Sequence, residues 1–207
     1  LYEESLMTVS LRSVHESDDS REAVWLYLPT SDCQIKRMLW RDGVESKDFA
    51  KLEIQINNLP AAVETACALE QESVFDLNAM CAAISKLAQT DRAKLDAVII
   101  FANPESAAEI RRLAENLDLF DFVPNVHTPE EYGRYMIQDS GHFDYDDNLD
   151  EFYDYEKYGR QHVEQEEGVF TEQGYLSYQG TLSLEDLMQG GPAEQYQKEQ
   201  KEGMQMI

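Results

Sequence analysis

The chain has 207 residues, of which 41 are Asp or Glu and 17 are Lys or Arg, so its formal net charge is −24. Repulsion between so many negative charges opposes folding of the chain into a compact state. However, 43% of the residues are hydrophobic and 10% are aromatic, which supplies enough apolar surface for a folded core. Direct binding to nucleic acid or to anionic membranes is disfavoured, because Lys and Arg are what neutralise phosphates. This composition favours a protein partner with a basic groove.

The three cysteines, Cys33, Cys67 and Cys81, lack the spacing of a zinc site or of a C-x-x-C redox motif. Their odd number and mainly helical surroundings predict reduced, mostly buried thiols. No apolar stretch approaches the length of a membrane span, and no signal-peptide pattern opens the chain. We therefore expect a cytoplasmic protein that does not contact membranes.

Residues 1–58 have the pattern of an N-terminal α+β domain, a small sheet with one helix against it. Ser31 and Asp32 follow a proline and predict the start of that helix. Apolar runs of strand length, two of them alternating with polar residues, predict three strands at residues 7–11, 23–28 and 52–56.

Residues 59–126 predict a mainly helical middle domain. Asn103 before Pro104 predicts the N-cap of its last helix, with proline at the first helical position. Residues 97–101 are apolar enough to form a buried strand instead of a helix, and that alternative stays open. Apolar residues recur at helical spacing in runs at residues 59–68, 76–89, 91–101 and 110–117.

Residues 127–180 predict a C-terminal acidic α+β domain. Thr128, Pro129 and Glu131 form a capping box that begins a helix, and Gly141 ends it. A second helix is predicted at residues 149–167, and a terminal hairpin at residues 168–170 and 174–178.

Residues 181–207 are rich in Gln, Glu, Lys and Gly and predict a tail, with one short helix around residues 184–188. The chain as a whole is predicted to be an elongated, acidic α+β protein with three small domains in series.

The sequence contains no phosphate-binding loop, dinucleotide fingerprint, nucleophile elbow or H-E-x-x-H motif. Residues 144–150 begin like a calcium loop, but position 6 is Leu149 rather than Gly and position 12 is Tyr155 rather than Glu. The scattered histidines, such as His127 and His142, are simplest to interpret as exposed or hydrogen-bonded. We therefore predict no catalytic residue, no metal and no cofactor.

Carboxylates are concentrated in residues 128–172, called here the acidic segment. This segment contains fourteen carboxylates and only three basic residues, Arg134, Lys157 and Arg160, so its net charge is −11. A carboxylate at about every third residue places one charge per roughly 5 Å of helix, whereas B-DNA presents one per about 1.7 Å of its axis. Two or three such elements side by side would approach the charge density of a duplex, although a merely solvated acidic face stays an alternative. The residues predicted to form this duplex-like acidic surface are Glu130, Glu131, Asp139, Asp144, Asp146, Asp147, Asp150, Glu151, Asp154, Glu156, Glu164, Glu166 and Glu167. Glu172 is the fourteenth carboxylate of the segment.

The stretches EEYGRYMIQDSG, at residues 130–141, and DEFYDYEKYGRQHVEQEEGVFTEQGYL, at residues 150–176, resemble the C-terminal region of the ArdA antirestriction proteins. The D-Y-x-x-Y-G-R string at residues 154–160 is the most specific part of this resemblance. V-W-L-Y-L-P, at residues 24–29, is similar to an N-terminal element of the family. The resemblance covers residues 7–178.

The resemblance implies three small domains in series, an elongated monomer, and a curved homodimer whose acidic surface imitates bent DNA. It implies the DNA-binding groove of Type I restriction-modification enzymes as the target, and conjugative elements as carriers. The family's antirestriction motif, linked to dimer contacts, would lie near residues 141–159. There the chain has H-F-D-Y-D-D at residues 142–147 instead of the family's L-x-x-V-P string. The candidate dimer contacts are Phe143, Tyr145, Phe152 and Tyr155.

Two other functions stay open. An acidic accessory or inhibitor protein of a mobile element would use the same charge against another basic partner, such as a relaxase, a nucleoid protein or a CRISPR nuclease. An enzyme with clustered carboxylates and a divalent metal would show stoichiometric metal binding and a concave site.

Overall fold

A computed structural model describes residues 5–13, 23–41, 49–142 and 144–191. The N-terminal sheet contains β1 (Met7–Ser13), β2 (Val24–Leu28) and β3 (Phe49–Ile56), in the order β2-β1-β3 with both pairs antiparallel. Side chains of β2 alternate between buried and exposed, as a strand with one face on a core does. Helix α1 (Asp32–Arg41) packs beside β2. The three predicted strands and the predicted helix are confirmed.

The middle of the chain is helical, as predicted. It contains α2 (Ala61–Ala66), α3 (Val74–Ser85), α4 (Gln89–Ala102) and α5 (Ala107–Glu115). Because α4 runs through residues 97–101, the alternative of a buried strand at those residues is wrong.

The predicted N-cap at Asn103 is also wrong. Asn103 has a φ of +49° and ends α4, where its N–H donates to the Ile99 carbonyl oxygen at 2.9 Å. A left-handed residue is common just past a helix end, and asparagine tolerates that conformation. Helix α5 begins instead after Ser106, whose Oγ accepts from the Glu109 N–H at 3.3 Å.

The C-terminal sheet contains β4 (Phe120–Pro124), β5 (Val169–Phe170) and β6 (Gly174–Tyr178), in the order β4-β6-β5 with antiparallel pairing. The predicted hairpin of β5 and β6 is confirmed. Strand β4 was not predicted, because its partner β6 lies far along the sequence and the strand itself is short. Helices α6 (Pro129–Arg134) and α7 (Tyr155–Glu166) lie between β4 and β5 in the chain.

The helix predicted at residues 149–167 is two elements. A 3-10 helix at Asp147–Phe152 ends at Tyr153, and α7 begins after Asp154. The Asp154 carboxylate accepts from the Lys157 N–H at 3.0 Å. A side chain that caps a helix in this way holds its own backbone outside the helix, which explains the break.

The described part of the predicted tail folds back on the protein. Helix α8 (Leu184–Gln189) confirms the predicted short helix, and Leu187 is buried in the main core. The Arg112 guanidinium in α5 donates to the Met188 carbonyl oxygen at 2.6 Å. Among the described helices, none is long and apolar enough to cross a membrane.

One main hydrophobic cluster extends from Leu6, beside β1, to Leu187 in α8, and a smaller one contains Val126, Tyr132 and Tyr175. The mixed α+β class is confirmed. The division into domains at residues 1–58, 59–126 and 127–180 stays a prediction.

Polar side chains join the three regions of the sequence. The buried Asn78 amide in α3 accepts from the Thr30 N–H and donates to the Thr30 carbonyl oxygen, both at 2.8 Å. The Asp96 carboxylate in α4 accepts from the Ala62 N–H at 2.7 Å and from Gln173 Nε2 at 2.8 Å. These contacts connect the middle helices to the first sheet and to the terminal hairpin.

The cysteines differ in burial. Cys81 is buried, Cys67 is intermediate and Cys33 is exposed. The prediction that they are mostly buried is wrong, because the side chain of Cys33 lies on the outer side of the first turn of α1.

Candidate functional site

The acidic segment is built on two helices and the turns that connect them. Helix α6 continues into a π-helical turn at Tyr135–Asp139, and the 3-10 helix at Asp147–Phe152 precedes α7. Gly141, with a φ of +72°, follows the π-helical turn and confirms the predicted end of that helix. Of the fourteen carboxylates, twelve are exposed, while Asp150 and Glu166 are half-buried. The predicted surface residues therefore form a large exposed set and a pair that the protein partly encloses.

Helices α6 and α7 are in backbone contact at two glycines. A β-carbon on Gly133 would overlap the Tyr155 carbonyl oxygen, and one on Gly159 would overlap the Pro129 carbonyl oxygen. Each of these hypothetical atoms would also crowd the backbone nitrogen of the other glycine. Two acidic helices therefore lie closer together than helices that interleave side chains at their crossing.

A short sequence repeat underlies this crossing. Tyr-Gly-Arg occurs at residues 132–134 in α6 and again at residues 158–160 in α7. In both copies the arginine forms an ion pair with a glutamate four residues earlier, Arg134 with Glu130 at 3.6 Å and Arg160 with Glu156. This repeat is the signal from which the helix contact could have been predicted, and our sequence interpretation missed it.

Asp150 is held by the aromatic side chains around it. Its Oδ1 accepts from the Tyr145 hydroxyl at 2.9 Å, from the Tyr155 hydroxyl at 2.5 Å and from Gln138 Nε2 at 3.0 Å. The Arg134 guanidinium lies 3.8 Å from the same oxygen and stacks 4.4 Å from the centre of the Tyr155 ring. The hydrogen bonds from Tyr155 and Tyr145, with smaller help from Arg134, lower the pKa of Asp150. We call these five residues the Asp150 cluster.

Glu166 is held in a similar way at the end of α7. Its Oε2 accepts from the Tyr132 hydroxyl at 2.8 Å and from the Tyr175 hydroxyl at 2.6 Å. The two tyrosine rings stack with their centres 3.9 Å apart, and Tyr175 is fully buried. Burial first, and then the bond to the Glu166 carboxylate, raise the pKa of both tyrosines. Glu166 therefore anchors the small core cluster in addition to carrying negative charge.

Three of the exposed carboxylates also stabilise turns. Thr128 and Glu131 form the predicted capping box, in which Thr128 Oγ1 accepts from the Glu131 N–H at 3.2 Å. Glu131 Oε2 accepts from the His127 N–H at 2.7 Å, and this bond is the main cause that lowers the pKa of Glu131. Asp146 and Asp154 cap the 3-10 helix and α7. The segment thus uses part of its own charge to fold.

The candidate dimer contacts lie in different surroundings. Tyr155 is buried and Tyr145 is half-buried, both within the Asp150 cluster. Phe152 is 82% exposed. Phe143 lies outside the described residues. The dimer contact stays a prediction, and Phe152 is the most accessible of its three described candidates.

The histidines near the acidic segment make local contacts. The Nδ1 atom of His127 lies 3.1 Å from the Thr171 carbonyl oxygen, and that of His142 lies 2.8 Å from Ser140 Oγ. Within the part of the chain that the structure describes, no group of three His, Cys, Asp or Glu residues is arranged to hold a metal ion.

The comparison with protein families decides what this acidic architecture belongs to. The family model of the antirestriction protein (ArdA) matches residues 20–177. The chain belongs to the ArdA family. Antirestriction is therefore the function of the family to which it belongs. No curated protein matches the chain.

In this ArdA chain, the D-Y-x-x-Y-G-R string at residues 154–160 has structural roles. Asp154 caps α7, Tyr155 binds Asp150, and Gly159 permits the contact with α6. The string is thus a packing motif that sets two acidic helices side by side. The family match ends at residue 177, so the ArdA model does not cover α8.

Proposed function

We propose that the chain is an inhibitor without catalytic activity or cofactor, whose acidic segment imitates DNA and occupies the DNA-binding groove of a Type I restriction-modification enzyme. One observation carries this proposal. Eleven of the twelve exposed carboxylates of the acidic segment lie on and between two helices whose backbones touch, and the twelfth, Glu172, lies in the terminal hairpin. Membership of the ArdA family supports the antirestriction part of the proposal.

The mechanism is electrostatic competition. One helix with a carboxylate at about every third residue has a lower charge density than a duplex, and two helices in contact narrow that difference. The target's groove is lined with Lys and Arg because it neutralises phosphates. Long-range attraction accelerates the encounter, and salt weakens it. Since many contacts share the binding, loss of any one exposed carboxylate should weaken displacement of DNA without abolishing it.

We also propose that two copies form an elongated homodimer in the cytoplasm, which would lengthen the acidic surface toward that of a bent duplex. The exposed ring of Phe152 supports this proposal, since an apolar side chain that is 82% exposed gains free energy when a partner covers it. Tyr145 and Tyr155 would act indirectly, by holding the 3-10 helix that carries Phe152.

A competition assay tests the function. A purified Type I restriction-modification complex bound to a labelled target duplex is titrated with this protein at several salt concentrations. We expect the protein to displace the duplex, with an apparent affinity that falls steeply as salt rises. Absence of displacement at low salt, with the protein shown to be folded by circular dichroism, would refute the proposal. A different basic partner, such as a relaxase, a nucleoid protein or a CRISPR nuclease, would then be the next one to test.

A further inference from the structure

We propose that a cavity at the C-terminal end of α7 receives one cationic side chain of the basic partner, preferably the guanidinium group of an arginine. This inference rests on the proposed function and adds a specific contact to it. The cavity has a volume of about 480 Å³. The residues that line it include Glu166, Glu167, Phe101, Tyr178 and Leu182.

The Glu166 carboxylate is positioned before any ligand arrives. Tyr132 and Tyr175 both donate to Oε2, so the group is fixed by two hydroxyls of the small core cluster. Its other oxygen, Oε1, lies 3.6 Å from His162 Nδ1, beyond ordinary hydrogen-bond length, and keeps capacity to accept. An acceptor that is already oriented loses little freedom on binding, which favours a specific contact over a diffuse one.

Glu167 adds a second carboxylate beside the first. It ends α7 with a φ of +51°, a left-handed conformation in which glycine is the favoured residue. The carbonyl groups at the end of a helix carry partial negative charge, so the backbone here also favours a cation. Two carboxylates and a helix C-terminus therefore make this side of the cavity negative.

The aromatic walls suit the same ligand. The Tyr178 hydroxyl donates to the Leu182 carbonyl oxygen at 2.9 Å, and its ring packs 5.0 Å from the centre of the Phe120 ring. A ring held in place in this way can stack on a planar guanidinium, and two neighbouring carboxylates can accept its several N–H donors. Residues 180–184 also line the cavity and lie beyond the residues matched by the family model.

Cations fit this cavity better than other ligands do. An anion would meet two carboxylates and a negative helix end, and an apolar group would cover charged groups without pairing them, at a cost in free energy. Lysine would make a point contact, whereas arginine can bind a carboxylate through two donors while its plane lies on a ring.

A substitution that spares the fold provides the test. Glu167→Gly removes the carboxylate and replaces the residue by the one best suited to a left-handed φ, so unfolding midpoints should stay equal or rise. Glu167→Asn is a second variant, because asparagine also tolerates this conformation. Glu164→Gln is the matched control, since it removes one exposed carboxylate of α7 that does not line the cavity.

Two measurements use these variants. Argininamide is first titrated into the full ¹⁵N-labelled chain at fixed ionic strength. We expect saturable amide shifts at residues 166–167 and 180–184, with an affinity about tenfold weaker in both Glu167 variants and unchanged in Glu164→Gln. Shifts that spread over the whole acidic segment, or that are equal in all variants, would overturn the proposal.

The same variants are then compared in the competition assay. The Glu167 variants should need about ten times more protein for displacement, and Glu164→Gln less than about twice as much. Equal displacement by all variants would refute the cavity contact and leave the proposed function standing. Failure of the unmodified protein to displace DNA would refute the proposed function, while the argininamide titration would still decide whether the cavity binds a cation.

Discussion

Gly133 in α6 and Gly159 in α7 face each other at the crossing of the two helices, where each backbone fills the space that a side chain on the other would need. The contact joins the two halves of the acidic segment. It holds α6 and α7, which both carry exposed glutamates, in a fixed position relative to each other. The geometry of the negative surface therefore depends on this contact. The two glycines thus connect packing to the proposed function.

Replacement of Gly159 by alanine should therefore destabilise the protein, although alanine favours helices. A β-carbon would overlap the Pro129 carbonyl oxygen, which is backbone and has no freedom to turn aside. We expect a loss of about 3 kcal/mol or more in the free energy of unfolding, measured by urea denaturation. Gln165→Ala, at an exposed position of the same helix, is the control and should change stability by less than about 0.5 kcal/mol. Equal effects of the two substitutions would contradict the crossing.

Asp150→Asn should lower the melting temperature at neutral pH by more than Asp147→Asn, which changes an exposed neighbour in the same 3-10 helix. The pKa of Asp150 is lowered in the folded protein by its hydrogen bonds, so its stabilising effect is present above the unfolded value of about 3.9. That effect is lost as pH falls through the folded pKa. The difference between the two variants should therefore shrink below about pH 4 in thermal melts, and a gap that stays constant with pH would speak against a charged Asp150 in the cluster.

Alkaline pH should weaken the small core cluster. The pKa values of Tyr132 and Tyr175 are raised by burial and by Glu166, so their stabilising effect is complete below the unfolded value of about 10. It is lost as pH rises above that value, because ionisation must then occur against burial and a nearby carboxylate. Urea denaturation between about pH 7 and 11 should show this decline.

Removal of the Tyr132 hydroxyl measures how much this residue contributes to the loss of stability at alkaline pH. Tyr132→Phe should cost about 1 to 2 kcal/mol at neutral pH, since a hydrogen bond to a charged group is lost. It should also flatten the decline above about pH 10. Tyr153→Phe is the control, at a half-buried tyrosine outside the cluster. If Tyr153→Phe flattened the decline as much, the assignment to Tyr132 would be wrong.

The proposed mimicry predicts an effect that depends on where charge is removed. Conversion of Asp144, Asp146, Asp147 and Glu151 together to their amides should weaken displacement of DNA at least tenfold and reduce its dependence on salt. Asp146 is the one member that also caps a helix, so the fold of the variant is checked by circular dichroism. Four amides at exposed positions outside the acidic segment form the control, namely Glu70→Gln, Glu105→Gln, Glu115→Gln and Asp118→Asn.

Both variants lose four negative charges, so net charge alone predicts the same result for each. A difference between them assigns the effect to the acidic segment. Equal weakening would support a general electrostatic effect and contradict a defined DNA-like surface.

The cysteines should differ in reactivity. Burial raises the pKa of the Cys81 thiol to about 12, which suppresses the reactive thiolate, whereas Cys33 is exposed at the start of α1. An aromatic disulfide reagent should therefore modify Cys33 rapidly in the folded protein, and Cys81 only after denaturation. The Cys33→Ser variant identifies the fast phase. Rapid labelling of Cys81 in that variant would contradict the packing of α3.

Much of the fold could be predicted from the sequence because its signals are local. The alternating pattern of β1, the capping box of Thr128 and Glu131, and the glycine at Gly141 each specify an element through neighbours in the chain. Net charge and its concentration in the acidic segment are also properties of the sequence itself, as is the string that resembles the ArdA family.

Only the tertiary structure decided which groups meet across the chain. Asn103 ends a helix instead of starting one, because the packing of α4 extends it to Ala102. Strand β4 exists because β6, far along the chain, supplies its hydrogen bonds. Asp150 and Glu166 look like any other carboxylates of the acidic segment in the sequence, but tyrosine hydroxyls bind them, including that of Tyr132, which lies 34 residues before Glu166. Composition determines how much charge a chain carries, and only the fold determines which charges face solvent, because burial and hydrogen bonding depend on residues that the sequence does not place side by side.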